Sequence, residues 1–371
     1  MPPPSTPGFT TIPGCRALVT GSSGLVGGRL VEMLLERGAH TVVCFDLRPP
    51  TKPFQHRCLT AIKTGKRNGT VEFIEGDLTD AAGVHAACVD VDVVYHIAAL
   101  VGPFFKRPLY FKVNVDGTAN ILAGCKANGV KKIVMSSSPS TRFTGADIEG
   151  LREDELPIPS TFLETYAETK AIAEVMIEEA NGKDGMLTIA VAPHQVYGPH
   201  DELFVPNLLA AAGNGSLRVF GNGDNLCSFC YVDNYAHGLM CGADALYEGS
   251  PALGKFYIVT DEEPQKFWRV INRMGVEMGF ADMFQKIKLP VMFMMFLGYV
   301  CEVLGYLLGR RLKLNVFSVK MMVIHRYFSP TNSRRDLLYK PLVTFEEGWS
   351  RTIEWYKENW LGKWKEKNGK K

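Results

Sequence analysis

The sequence lacks any strong excess of charge of one sign, since 41 Lys and Arg residues face 39 Asp and Glu residues and the net charge is +2. No Lys/Arg cluster lies on a recognisable nucleic-acid-reading motif, so nucleic-acid binding is not expected. Residues 1–13 contain no apolar core, which argues against a signal peptide and predicts a flexible tail. No internal repeat is present. What remains is a globular chain long enough to bury a large core.

The cysteines of the sequence are not spaced like the ligands of a metal site. Nine cysteines are scattered through apolar runs, and Cys227 and Cys230 form a lone CxxC pair. A tetrahedral metal site needs four ligands, and no second pair is suitably spaced. In the extended-looking run 226–232 the two side chains point to opposite faces, so we interpret the pair as packing and expect no metal. Reduced thiols agree with a cytosolic location.

The most informative feature is a glycine-rich turn between a strand and a helix. The turn GSSGLVG at 21–27 follows the apolar run 17–20 and opens a stretch, 25–36, with apolar residues at helical spacing. Such a turn lets the backbone approach a pyrophosphate, and the helix N-terminus offers free N–H groups to the anion. A second strand, 41–45, ends in Asp46, 19 residues after the last glycine, where a carboxylate is expected to bind the adenosine ribose. The pattern predicts a dinucleotide site.

Strand-like runs and helical patterns alternate through the first half of the chain. Helical patterns cover 80–88, 108–128 and 165–180, with apolar strand-like runs between them. This alternation predicts an α/β fold with a doubly wound, parallel, Rossmann-like sheet. After about residue 200, Gly/Pro-punctuated segments replace the regular pattern. We therefore predict a tail (1–13), a dinucleotide-binding domain (14–200), a smaller substrate region interleaved with the core (201–288), an apolar membrane-associated segment (289–313) and a C-terminal closure with a basic tail (314–371).

The apolar segment reads LPVMFMMFLGYVCEVLGYLLG from residue 289, with Glu302 as its one acid and a basic cluster at 310–313. Its length suits a helix that crosses a bilayer or lies in one leaflet. A charged Glu302 side chain at the centre of a bilayer would cost free energy, which favours a helix that lies in one leaflet over one that spans the membrane. The basic cluster suits contact with the headgroups on the cytosolic side. The alternative is a buried helix pair that caps the substrate pocket. We expect contact with a membrane surface.

Tyr166 and Lys170 lie one turn apart on a predicted helix. An ammonium group below a phenol stabilises the phenolate and lowers a pKa that starts near 10. The tyrosine can then take a proton from an alcohol as hydride leaves the carbon. A hydroxyl-rich strand end at 136–140 precedes the pair, and ligands gather at such strand ends. The alternative is an ordinary amphipathic helix, but the nucleotide fingerprint favours a dehydrogenase site.

Together these features resemble the extended short-chain dehydrogenase/reductase family, and within it the 3β-hydroxysteroid dehydrogenase branch. The family motifs are TGSSGLVG at 20–27, Asp46, GDL at 76–78, HIAA at 96–99, VNVDGT at 113–118, the serine run at 136–140, YAETK at 166–170 and VYGP at 196–199. The branch is indicated by 229–237, 254–268, the apolar stretch 289–309 and 335–343. The resemblance runs from about residue 14 to 360, with the motifs in the family's order and spacing.

The resemblance implies a role for each site residue. For the cofactor it implies Gly21, Ser23, Gly24, Leu25, Val26 and Gly27 at the pyrophosphate, Asp46 at the ribose, Asp77 and Leu78 at adenine, Ala98 and Ala99 along the cofactor, Asn114 as a structural and relay residue, and Pro193 and Val196 beside the nicotinamide. Ser138, with Ser140 as the alternative, polarises the substrate oxygen. Tyr166 is the acid/base, and Lys170 binds the nicotinamide ribose and tunes Tyr166. NAD is expected because Asp46 repels a 2′-phosphate, and NADP is the alternative because of Arg48.

The branch implies a sterol or steroid substrate whose 3β-hydroxyl is oxidised to a ketone, with loss of a C4 carboxylate as CO2 in the leading version. Arg142 is one candidate for binding that carboxylate, although a solvated loop charge is the favoured interpretation. The alternatives are a 3β-hydroxy-Δ5-steroid dehydrogenase/isomerase, another dehydrogenase or epimerase of the extended family, and a non-catalytic nucleotide-binding scaffold, against which the intact Ser/Tyr/Lys set argues. We expect the protein on the endoplasmic reticulum membrane or a lipid droplet, facing the cytosol, and the resemblance leaves a homodimer open.

Overall fold

Strands and helices alternate along the chain much as predicted. The computed structural model describes residues 11–49, 70–102, 104–308, 312 and 314–369. The strands are β1 (Arg16–Thr20), β2 (Thr41–Asp46), β3 (Thr70–Glu75), β4 (Val93–His96), β5 (Lys132–Ser136), β6 (Ile148–Leu151), β7 (Leu187–Pro193), β8 (Val196–Tyr197), β9 (Leu226–Cys227), β10 (Cys230–Tyr231), β11 (Phe256–Val259), β12 (Gln265–Lys266) and β13 (Arg326–Phe328). The helices are α1 (Leu25–Glu36), α2 (Ala81–Ala87), α3 (Arg107–Tyr110), α4 (Gly117–Asn128), α5 (Thr165–Ala180), α6 (Val205–Gly213), α7 (Val232–Asp244), α8 (Phe267–Glu277), α9 (Val291–Leu307), α10 (Val316–Val323), α11 (Thr331–Asp336), α12 (Phe345–Tyr356) and α13 (Gly362–Asn368).

A seven-stranded parallel sheet forms the centre, in the order β11-β7-β5-β4-β1-β2-β3. Its central strands are apolar on both faces because helices cover both faces, whereas the edge strand β3 is largely exposed. Val19 points into a cluster with α1 and α7, whereas its neighbour Leu18 points into a cluster with α2, α4 and α5. The predicted doubly wound α/β sheet is confirmed.

A smaller cap lies against this sheet and is assembled from distant parts of the chain. It contains a four-stranded sheet, in the order β12-β9-β13-β6, and the short parallel pair β10-β8. An aromatic cluster that includes Phe229, Trp268 and Trp349 fills its interior. The cap takes β6 from within the predicted dinucleotide domain, and the main sheet takes its edge strand β11 from the stretch 201–288.

The start of the described chain is packed rather than loose. Ile12 is fully buried, and the Thr11 N–H donates to Asp244 Oδ1 at 3.0 Å. Residues 11–13 therefore belong to the core, although the sequence assigns them to the tail. Residues 1–10 lie outside the described residues.

The apolar segment forms the 17-residue helix α9, which packs against the start of α10. A Cβ at Gly298 would lie 3.0 Å from the carbonyl carbon of Asn315, so the two helices are in close contact there. The Glu302 carboxylate accepts the Val316 N–H at 3.0 Å and so caps α10. In the part of the chain that the structure describes, no helix is both long and apolar enough to cross a bilayer.

The glycine turn before α1 leaves no space for side chains. Gly21 has φ +69°, a conformation that favours glycine, and a Cβ there would lie 2.9 Å from Ala98 Cα. A Cβ at Gly27 would overlap the Gly21 carbonyl oxygen and lie 2.9 Å from Ser22 Cα. The turn and the helix can pack this closely only while both positions are glycine.

The substitution Gly27→Ala is expected to lower stability by about 1–3 kcal/mol, because the turn must shift to admit the methyl group. It should also weaken dinucleotide binding, since the shifted backbone forms the cradle. Thermal denaturation and fluorescence titration with NAD measure the two effects. Gly362→Ala is the control, because nothing lies within 4 Å of the added Cβ. Wild-type affinity in Gly27→Ala would contradict the cradle.

Candidate active site

A cavity of about 1340 Å³ opens at the carboxyl edge of the main sheet. Residues at or just beyond the ends of five strands line its floor, namely Gly21, Asp46, Ala98, Ser138 and Pro193. Ligands gather at this edge in doubly wound sheets. The volume exceeds the roughly 300–1,000 Å³ typical of one small-molecule pocket, so there is space for a dinucleotide and a second ligand.

All but two of the predicted site residues line this cavity. Those that do are Gly21, Ser23, Gly24, Leu25, Val26, Gly27, Asp46, Asp77, Leu78, Ala98, Ala99, Ser138, Tyr166, Pro193 and Val196. Lys170 and Asn114 lie behind the wall, both buried. Both residues contact side chains or backbone groups behind the cavity wall rather than the cavity itself.

The nucleotide end of the cavity is held by the end of β2. Asp46 Oδ2 accepts the Ser23 N–H at 2.9 Å, and the Ser23 hydroxyl donates to the Arg48 carbonyl at 2.9 Å. Helix α1 begins at Leu25, and Gly24 before it provides no side-chain cap, so the first N–H groups of the helix are left for an anion. Asp77 Oδ1 accepts the Thr79 N–H at 2.8 Å and fixes the turn that presents Leu78. These residues fit a dinucleotide.

The two candidate serines lie in a short turn beyond β5 and are not equivalent. The Ser140 hydroxyl donates to Ser138 Oγ at 2.9 Å, and the Ser140 N–H points to the same oxygen at 3.3 Å. The hydroxyl proton of Ser140 is therefore already engaged in a hydrogen bond to Ser138. The hydroxyl proton of Ser138 remains available for a hydrogen bond to the Tyr166 oxygen. Hydrogen bonding with Ser138 lowers the pKa of Tyr166, and both side chains line the cavity.

The pKa of Tyr166 moves in the direction opposite to the sequence prediction. Burial raises it to about 12, and Ser138 only partly offsets this effect. Lys170 does not lower it, because its Nζ donates to the Ser136 carbonyl at 2.6 Å. Burial lowers the pKa of Lys170 to about 8, against the attraction of Glu174. Desolvation of the phenol therefore decides the direction of the shift in the pKa of Tyr166.

A chain of buried hydrogen bonds runs behind the site. The Thr118 hydroxyl donates to the Asn114 carbonyl at 2.7 Å, so His96 Nε2 must be the donor across 3.0 Å to Thr118. His96 Nδ1 then accepts from Thr20 at 3.1 Å. Asn114 continues the chain by donating to Thr169 at 3.1 Å, on the same turn of α5 as Lys170. Burial holds the pKa of His96 at about 3, so the ring stays neutral.

Arg142 is neither a solvated loop charge nor a cavity residue. It is buried in an ion pair with Glu174, and its guanidinium lies 4.2 Å from the ring centre of Phe256. Glu174 also accepts the Ser137 hydroxyl at 2.6 Å. The pair braces the serine turn against α5, and this corrects both interpretations of Arg142.

The cap supplies residues that sequence reasoning missed. Its apolar side chains in the cavity wall are Phe143, Ile148, Phe317, Met321 and Phe328, and the wall also contains Arg326 and, just before α6, the acidic Asp201 and Glu202. These residues come from four separate segments and belong to no motif.

The CxxC pair belongs to the packing of the cap and core. Cys227 and Cys230 are both buried and free. Over the described ranges, no group of three or more His, Cys, Asp and Glu residues could hold a metal ion.

Comparison with known proteins identifies the family to which the chain belongs. The model of the 3-beta hydroxysteroid dehydrogenase/isomerase family matches residues 18–291. This chain belongs to that family. The family confirms the prediction of an oxidoreductase that acts on CH–OH groups.

Three relatives cover nearly the whole chain. The chain is 33% identical over 346 residues to the 3beta-hydroxysteroid-dehydrogenase/decarboxylase isoform 1 of Arabidopsis thaliana (91% of this chain, 78% of the relative). It is 31% identical over 345 residues to the sterol-4-alpha-carboxylate 3-dehydrogenase, decarboxylating, of Mus musculus (91% and 90%). It is 33% identical over 339 residues to the 2-alkyl-3-oxoalkanoate reductase of Stenotrophomonas maltophilia (strain K279a) (91% and 98%).

Among solved structures, a dTDP-glucose 4,6-dehydratase of Streptomyces venezuelae, a double mutant with NAD bound, has a TM-score of 0.70. The alignment covers 95% of this chain and 99% of that chain at 21% identity. At this identity the match shows a shared fold.

The two serines can be separated by substitution. Ser138→Ala is expected to lower turnover by roughly a hundredfold, because it removes the hydroxyl that faces Tyr166. Ser140→Ala should cost about tenfold or less, since it removes one hydrogen bond that orients Ser138. Steady-state oxidation of a 3β-hydroxysterol with NAD measures both. A larger loss in Ser140→Ala than in Ser138→Ala would reverse the assignment.

Proposed function

We propose that this protein oxidises the 3β-hydroxyl of a 4α-carboxysterol with NAD and releases the carboxylate as CO2. The observation that carries the proposal is the meeting of Ser138 and Tyr166 in the cavity that also contains the glycine turn and an apolar wall from the cap. A dehydrogenase that couples oxidation to decarboxylation is named among the relatives from a plant and from a mammal.

The residues at the sheet edge have distinct parts in the oxidation. Tyr166 accepts the proton of the substrate hydroxyl, and Ser138 donates a hydrogen bond to the same oxygen. A bound oxidised nicotinamide would accept hydride from carbon 3 and bring a positive charge that favours the phenolate. Lys170 holds the end of β5 through Ser136 and so fixes the serine turn relative to α5. Apolar side chains of the cap, such as Phe143 and Phe328, offer the sterol an apolar surface.

Loss of CO2 needs little further help from the protein. After oxidation the carboxylate is β to the new ketone, so its bond to C4 can break with the electron pair moving to the ketone oxygen as an enolate. Ser138 and Tyr166 face that oxygen and stabilise its charge by donating hydrogen bonds. Protonation of the enolate at C4 completes the reaction.

NAD is the cofactor that the nucleotide end favours. The Asp46 carboxylate lines the cavity at the end of β2, where it accepts ribose hydroxyls and repels a 2′-phosphate. Arg48 lines the same region and partly offsets the repulsion. We therefore expect preference for NAD rather than exclusion of NADP.

A second candidate substrate is a 2-alkyl-3-oxoalkanoate, reduced at its ketone by the same residues acting in reverse. The bacterial reductase that supports it is matched over 98% of its length. Both substrate classes have an apolar body. Both also have a carboxylate attached to the carbon next to the one that is oxidised or reduced.

Product analysis tests the proposed function. The protein is incubated with NAD or NADP and either a 4α-carboxysterol or a plain 3β-hydroxy-Δ5-steroid, and the products are identified by mass spectrometry. The expected result is a 3-ketone without the carboxyl group, CO2 and faster reaction with NAD. The same mixture without cofactor is the control. Conversion of only the plain steroid to a Δ4-3-ketone, or of neither sterol, would contradict the proposal.

We also propose that α9 lies in a membrane surface, on the cytosolic side of the endoplasmic reticulum or a lipid droplet. Its outer face exposes large apolar side chains: Met292 (82% exposed), Phe296 (62%), Tyr299 (61%), Tyr306 (88%) and Leu307 (72%). A contiguous apolar face of this kind marks an interaction surface. A sterol partitions into membranes, so its enzyme gains by contact with them. Glu302 is occupied at the cap of α10 and does not oppose shallow insertion.

The double substitution Phe296→Glu with Tyr306→Glu is expected to reduce vesicle binding at least about tenfold, because each position loses roughly 1.5–3 kcal/mol of apolar transfer. Flotation with phosphatidylcholine vesicles at high salt measures the bound fraction without electrostatic attachment. Tyr247→Glu is the matched control, since Tyr247 is 56% exposed on another part of the surface. A wild-type protein that stays with the soluble fraction would end the proposal.

A further inference from the structure

A glutamine in the cavity wall has a backbone conformation that favours glycine. Gln195 has φ +41° and lines the cavity between Pro193 and Val196. An L side chain is strained in this left-handed region, and among non-glycine residues Asn, Asp and His adopt it most often. Over the described chain, the non-glycine residues with positive φ are Asp90, Asp184, Gln195, His200 and Leu338. Strain of this kind at a cavity indicates a function that outweighs its cost.

The fold explains the turn at this position but not the glutamine. Strand β7 pairs with β5 and β11 in the main sheet, whereas β8 pairs with β10 in the cap. The chain changes direction between β7 and β8, and there the Gln195 carbonyl accepts the Cys230 N–H at 3.3 Å. Glycine makes such a turn without steric cost. The presence of a side chain at this turn therefore points to a use for its amide group.

The fold does not use the side-chain amide of Gln195. The preceding residue, His194, is held by the fold, because its Nδ1 donates to the Ser228 carbonyl at 2.7 Å. Gln195 itself is partly exposed and lines the cavity, and no described residue makes a hydrogen bond to its side chain. A primary amide presents N–H donors and a carbonyl acceptor side by side. The cavity wall thus offers a ligand one donor and one acceptor at this point.

We infer that the Gln195 side chain binds the carboxamide of the nicotinamide through two hydrogen bonds. The carboxamide has the same donor and acceptor, so the two amide groups complement each other. Pro193 and Val196, on either side of Gln195, are the residues expected beside the nicotinamide. The oxygen of the substrate has its own partners in Ser138 and Tyr166. The inference rests on the proposed use of NAD and does not depend on which substrate is oxidised.

This contact fixes the face of the nicotinamide ring that meets the substrate. The ring rotates about its bond to the ribose, and the two orientations place the carboxamide on opposite sides. A partner on one side stabilises one orientation, so hydride is accepted on one face of the ring. Gln195 therefore orients the cofactor, while proton transfer remains with Tyr166.

Binding titrations without any sterol test the inference. The ligands are NADH, its 3-acetylpyridine analogue, in which a methyl group replaces the carboxamide nitrogen, and ADP-ribose, which lacks the nicotinamide. Gln195→Gly and Gln195→Leu are each expected to raise the dissociation constant for NADH about tenfold. The constant for the analogue should rise about threefold or less, because one of the two hydrogen bonds is already missing. The constant for ADP-ribose should not change. Isothermal titration calorimetry measures all three.

The variants separate the amide group from the backbone. Gln195→Leu removes the amide and keeps the strain, whereas Gln195→Gly removes both, so equal effects assign the loss to the amide. Asp90→Gly is the matched control, because Asp90 has φ +56° and is not part of the cavity wall. It should change none of the three dissociation constants. Gln195→Gly should melt no lower than Asp90→Gly, since glycine removes strain at both positions.

The other outcomes contradict the inference. Unchanged NADH binding in both Gln195 variants would overturn it. Equal losses for NADH and the acetylpyridine analogue, or any loss for ADP-ribose, would assign Gln195 a structural role and overturn it as well. If the wild-type protein binds none of the three ligands, the proposed cofactor fails and the inference falls with it. If the protein binds NADH but oxidises no sterol, the proposed function fails, and these titrations still decide the role of Gln195.

Discussion

The structure depends on one chain of buried hydrogen bonds, which joins the strand of the glycine turn to the helix of Tyr166. Thr20 closes β1 and binds the N–H groups of Ile97 and Ala98 at 3.0 and 3.1 Å, and its hydroxyl faces His96. From there the chain passes through Asn114 to α5. Every member is buried, so removing one would leave its partner unsatisfied at a cost of about 1–3 kcal/mol. Cofactor cradle and acid/base are thus held in one geometry.

Burial that makes this geometry rigid also sets the electrostatics of the site. A phenol with a pKa of about 12 keeps its proton at neutral pH, while Lys170, at about 8, remains mostly charged. A bound oxidised nicotinamide would bring a positive charge that favours the phenolate of Tyr166. The unfavourable burial of the Tyr166 phenolate thus lies where the substrate is proposed to bind.

Local patterns predicted the nucleotide half of the molecule well because each signal lies within a short segment. The glycine turn, the acid that ends β2 and the Tyr166 helix all follow from spacing within about 20 residues. The cap could not be predicted in this way, since β6 and β13 pair across more than 170 residues and contain four and three residues. The direction of the Tyr166 shift and the pairing of Arg142 depend on burial and on contacts that only the folded chain creates. Arg326 was missed for the same reason.

The central claim is that Tyr166 takes the proton of the substrate hydroxyl, and a single-turnover experiment tests it most directly. The protein saturated with NAD is mixed with a 4α-carboxysterol, and formation of NADH is followed in the wild type and in Tyr166→Phe. The account predicts that the variant forms NADH at least about a hundredfold more slowly while its dissociation constant for NAD is unchanged. A variant that forms NADH at the wild-type rate would contradict the account.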